Sequence, residues 1–84
     1  MTEVNSRNAP EDWGRFVSSH QIGAEVEGRV TSLVSFGAFV EVAPGVEGLL
    51  HESQFVDAPA LGSTLSVRID RIDVEARRMS LATA

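Results

Sequence analysis

A small closed barrel of five antiparallel strands, all-β apart from one short N-terminal helix, is the fold class this sequence predicts. Three observations predict it. Apolar and polar residues alternate with a period of two in short runs between Glu25 and Leu81. Glycines punctuate the breaks around those runs, at Gly23, Gly37, Gly45 and Gly62, where a small sheet has to turn. The 84 residues form one domain without a cysteine, so neither a disulfide nor a thiolate metal site can staple the core. Closing the sheet on itself then removes the exposed edges that a five-stranded sheet would otherwise present.

Taken in order, Met1 to Ala9 is polar and aperiodic and reads as a flexible tail. A helix and linker follow over residues 10–21. Pro10 suits a first helical turn, Glu11 and Asp12 suit the positive end of the helix dipole, and Asn8 or Ala9 is the expected cap. Trp13, Phe16 and Val17 fall at i, i+3 and i+4, a single stripe expected to pack on the barrel. Gly23 ends the segment.

From Glu25 the period changes to two. Val26, Gly28 and Val30 share one face of a first strand that continues irregularly through Leu33 and Val34, and Gly28 suggests a bulge or a tight bend. Ser35 to Gly37 turns the chain into a second strand, Ala38 to Val42. The turn Ala43-Pro44-Gly45 makes a hairpin with a third strand, Val46 to Leu50. His51 to Phe55 loses the alternation, as a helical turn would, and Asp57-Ala58-Pro59 belongs to a loop. Leu65, Val67 and Ile69 alternate in a fourth strand whose phase slips near Arg71, as at a bulge. Asp73 to Ala76 turns into the last strand, Arg77 to Leu81, with Met79 and Leu81 inward. Five such strands with a helical turn after the third suit a Greek-key barrel of the OB type better than the rival SH3-like barrel.

The functional signal lies in Phe36 to Val40, FGAFV. Ala38, Val40 and Val42 occupy one face of the second strand, which puts Phe39 on the opposite face beside Glu41, with Phe36 at the bend before it. Rings there serve either as a satellite apolar cluster or as a platform on which unpaired bases stack. Charge qualifies the second reading. The formal net charge is -5 and the pI about 4.8. Residues 1–60 carry three arginines against nine acids, net -6, and residues 61–84 carry four arginines against three acids, net +1. All the basic residues are arginine, whose flat guanidinium stacks on bases and forks onto phosphate.

Several blocks in order carry a family resemblance. Gly23-Ala-Glu-Val-Glu-Gly-Arg-Val30, FGAFV, GVEGLLHES from Gly45 to Ser53, then Gly62 leading to VRIDRID and RRMSL, resemble an S1 domain. That is the RNA-binding repeat of the large protein of the small ribosomal subunit, also found in polynucleotide phosphorylase and ribonuclease E. The resemblance assigns residues 22–84 to the domain and implies a five-stranded OB barrel. It also implies an RNA surface of two aromatics, a histidine and residues at the last turn. In this sequence these are Phe36, Phe39, His51, Asp73 and Arg77. Asp73 is expected mainly to hold Arg77 or to cap the turn, while Arg77 contacts phosphate or a base face. Arg68, on the polar face of the fourth strand, is a candidate extension of the basic track. Two features depart from the family: the segment Phe55 to Ser63 is short, and the lysines that often surround the site are absent.

The expected partner is therefore single-stranded RNA, bound weakly and with little sequence preference, because few cations are available to neutralise phosphate. The alternative is a module that docks on the ribosome or an RNA-processing protein. No nucleophile with a base, phosphate-cradling loop or set of metal ligands is recognisable, so no enzymatic activity, cofactor or metal is expected. The absence of a long apolar run argues against a membrane span, and the chain is expected to be a cytoplasmic monomer.

Overall fold

A computed structural model of the chain describes residues 8–55 and 58–84. Most of the expected tail, and Asp57 of the expected loop, lie outside the described residues. Helix α1 (Pro10–Ser19) precedes strands β1 (Glu25–Val34), β2 (Gly37–Ala43) and β3 (Val46–His51), a single 3-10 turn (Glu52–Gln54), and strands β4 (Thr64–Asp73) and β5 (Arg78–Thr83). The strands close into a barrel in the order β1-β2-β3-β5-β4, with β1 paired to both β2 and β4. Four of the pairings are antiparallel, and β3 with β5 is parallel. This is the five-stranded OB barrel with a short N-terminal helix.

The alternation does what it implied. Val30, Val40, Val46, Val67 and Ile69 fill the interior and are almost completely buried, and Met79 and Leu81 of β5 join them. Trp13 and Phe16 of α1 are 3% and 4% exposed and belong to the same cluster, with Val17 partly buried against it. A ten-residue helix is marginal on its own in water, so this docking, not propensity, holds α1. Each aromatic ring contributes roughly 1.5–3 kcal/mol by leaving water. The helix begins with Ala9 as cap, without a side-chain capping bond, and Pro10 in the first turn. At its other end the His20 ring stacks on Phe16, with centroids 4.0 Å apart.

The phase slip expected near Arg71 is present as a register shift of β4 on β5 between Ile69 and Arg71. In β1 the irregularity lies between Val30 and Ser32, not at Gly28. Gly28 is instead a point of close approach, where a Cβ would collide with the Val40 side chain and stand 3.0 Å from the Glu41 carbonyl oxygen. Two boundaries differ from expectation for physical reasons. Arg77 belongs to the β4–β5 turn, not to β5, because its backbone is left-handed with φ 53°. Asn8 is no part of a frayed tail: it is 8% exposed and hydrogen-bonded into the barrel.

Candidate nucleic-acid interface

The inward commitment of Ala38 and Val40, both fully buried, forces Phe39 onto the outer face of β2, where it stays half-buried opposite Leu49 of β3. Phe36 sits in the two-residue turn between paired Val34 and Gly37, and is 47% exposed. Gly37 makes that placement possible. It pairs with His51, and a Cβ on it would collide with the Leu50 carbonyl oxygen and lie 3.1 Å from the His51 Cα. The Phe36 carbonyl accepts the Glu52 N–H at 2.9 Å, fastening the aromatic turn to the end of β3.

An open groove of about 650 Å³ runs over the outer faces of β2, β3 and β5. Phe36, Phe39 and Leu49 supply its apolar wall, Arg77 and Arg78 its cations, and Glu47 one carboxylate. The Glu47 carboxylate accepts the Thr31 hydroxyl at 2.9 Å, which holds a negative charge beside the rings. Among the described residues the ion pairs are Arg15–Asp12 and Arg29–Glu41, each 3.4 Å, and Arg77 is exposed at the groove.

The sequence-derived candidates fall in four places. Phe36, Phe39 and Arg77 line the groove together. His51 is exposed at the end of β3, next to the Phe36 turn but outside the groove lining. Its Nδ1 accepts the Ser53 backbone N–H at 3.1 Å, so in the neutral ring Nε2 carries the proton and is left as an outward donor. Asp73 caps the turn: its carboxylate accepts the Ala76 N–H at 3.1 Å, and it lines a neighbouring depression that shares Arg78 and Ser80 with the groove. Arg68 stands apart on β4, between Glu25 of β1 and Ala82 of β5, and does not line the groove.

Sequence reasoning passed over Asn8 and Leu49 as parts of the groove and ranked Arg78 below Arg77 and Arg68. Leu49 was recoverable, since Leu50 faces inward and its neighbour must face outward. Nothing local marked Asn8, whose bonding partners lie 39 and 69 positions away.

A closed five-stranded OB barrel with an aromatic groove and cations at one rim defines a class of nucleic-acid-binding modules. The family model for the S1 RNA-binding domain matches residues 19–84, and the chain belongs to that family. Among curated relatives, small ribosomal subunit protein bS1 of Mycobacterium leprae is 44% identical over 80 residues, covering 86% of this chain. The bS1 homolog of Bacillus subtilis is 38% identical over 81 residues. The chain spans 17% and 21% of the length of these two relatives. Among solved structures, GSP13 from Bacillus subtilis is 30% identical with a TM-score of 0.68, the match covering 76% of this chain and 55% of that one. Mycoplasma genitalium RNase R in complex with ribose-methylated single-stranded RNA gives a TM-score of 0.72 at 21% identity, covering 93% of this chain and 15% of that one, a likeness of fold.

Proposed function

We propose that this domain binds single-stranded RNA, weakly and with little sequence preference, through the groove between Phe36, Phe39 and Arg77. The observation that carries the reading is the convergence in one open groove of two rings from β2 and its turn with an exposed guanidinium from the β4–β5 turn. Bases stack on Phe36 and Phe39, which recognises any base because each has a π-face. Arg77 meets phosphate or lies over a ring, and Arg78 stands beside it. His51 adds an Nε2–H donor at the Phe36 end, while Asp73 shapes the turn and makes no RNA contact. The small number of arginines lining the groove supports weak binding, since phosphate neutralisation supplies most nonspecific affinity. The bS1 relatives are ribosomal proteins by name, which supports reading this domain as a cytoplasmic binding module of the translation machinery.

Titration of the chain with a uridine hexamer, followed by backbone amide shifts, tests the reading. Saturable shifts should gather at Phe36, Phe39, His51 and Arg77. Phe39→Ala should weaken binding about 5- to 150-fold, the range for loss of one stacked base. His51→Ala should weaken it less, both with an unchanged fold by circular dichroism. Unaltered affinity in both variants removes the groove from the proposal. Shifts that appear with ribosomal proteins but not with RNA favour a protein-docking module.

A further inference from the structure

We infer that Asn8, which precedes the region matched by the family model, is a positioning residue of the RNA groove that acts through Arg77. The inference rests on the RNA reading above. Asn8 is one of two non-glycine residues with a left-handed backbone among those described, and Arg77 is the other, with φ 54° and 53°. Asparagine is among the few non-glycine residues that adopt that conformation routinely. Arginine is not one of them, and such a residue persists only where its surroundings hold it.

The surroundings of Arg77 can be named. Within its own turn, Asp73 takes the Ala76 N–H, and the Arg77 N–H reaches the Val74 carbonyl only at 3.4 Å. The short bond comes from outside: Asn8 Nδ2 donates to the Arg77 carbonyl at 2.9 Å. The same carboxamide grips β3, its Oδ1 accepting the Glu47 N–H at 2.8 Å and its Nδ2 donating to the Glu47 carbonyl at 3.2 Å. The Asn8 N–H adds a bond to the Gly45 carbonyl at 2.7 Å. Both Nδ2 donors are thus committed to protein carbonyls, so Asn8 serves the groove as a brace. It ties the β4–β5 turn to β3 and fixes the direction in which the Arg77 side chain leaves the backbone.

Asn8→Gly tests the brace, because glycine accepts φ near +54° without strain and removes only the carboxamide. Uridine-hexamer affinity is measured across salt concentrations for the unaltered chain, Asn8→Gly, Arg77→Gln and the double variant. Trp13 emission reports whether α1 stays docked. Arg77→Gln should weaken binding about tenfold or more, as loss of a charge-assisted contact, and lower the salt slope by about 0.7, the amount for one phosphate on a single strand. Asn8→Gly should lose about 3- to 10-fold as part of that effect, with a reduced salt slope, and add little to Arg77→Gln in the double variant. A structural defect alone would leave the slope unchanged and add to the second substitution. Wild-type affinity and slope in Asn8→Gly, with Arg77→Gln still impaired, overturns the brace and leaves the groove reading standing. Arg77→Gln without effect overturns both. In the unaltered protein the Asn8 side-chain amide protons should exchange slowly and their cross-peak should move with the Arg77 amide as RNA is added. Rapid exchange with an unmoved cross-peak overturns the brace even if the variants fail to fold.

Discussion

Phe39 shows how much a single residue can disclose about a site. Its outward direction follows from the burial of Ala38 and Val40 on either side, so a strict alternation in β2 made it legible as soon as the strand was recognised. The position of Arg77 was less legible. A resemblance to a family motif marked the residue, but a left-handed backbone braced by Asn8 depends on a bond 69 positions distant in sequence, and no local pattern encodes that. Gly37 sits between these cases. It looked like ordinary turn punctuation, yet its missing side chain is what lets β2 press against the Leu50 carbonyl and set Phe36 beside His51. Gly37→Ala should therefore cost about 1–3 kcal/mol, as overpacking does, and lower the melting temperature by about 4–8 °C for each kcal/mol. It should also weaken RNA binding beyond that loss of stability, because the turn carrying Phe36 has to shift. A melting temperature and an affinity both within error of the unaltered protein would show that the approach of β2 to β3 is not constrained there.

Among the elements, the strands were legible wherever the chain alternates cleanly and obscure where it does not. The end of β1 illustrates the second case: Leu33 is apolar but 51% exposed, and the register shift after Val30 changes which side chains face inward. The parallel contact of β3 with β5 left no trace in the periodicity, since a period reports which face is buried and not which strand lies alongside. The helix was readable from three apolar residues, and its importance is larger than its length. Trp13 and Phe16 join the barrel core, and the chain just before the helix supplies Asn8. Trp13→Ala should destabilise the domain by about 3–5 kcal/mol, measured by urea unfolding, the range for removing a buried large aromatic. A loss below about 1 kcal/mol would mean that the barrel stands without the helix, contrary to the burial seen here.

At the scale of the whole molecule, the acidic sum and the local cations make different demands. A net charge of -5 repels a polyanion at long range, and the groove offers Arg77 and Arg78 against Glu47. Two phosphates neutralised on a single strand imply a slope of log affinity against log salt of about -1.4. A slope steeper than about -3 would show that cations beyond the groove, such as Arg68 or Arg71, also engage the strand. The barrel closure carries one further consequence. β3 and β5 meet along a short parallel seam, with Leu49 opposite Ser80 and Leu50 opposite Leu81, and Leu49 and Ser80 both line the groove above it. A strand of RNA lying across that groove spans the shortest ladder in the barrel. By mass action a ligand bound in the proposed groove would act as a stitch: at ten times its dissociation constant even a weak binder stabilises the folded domain by about 1.4 kcal/mol, and protection from amide exchange along the β3–β5 seam is the expected sign of it.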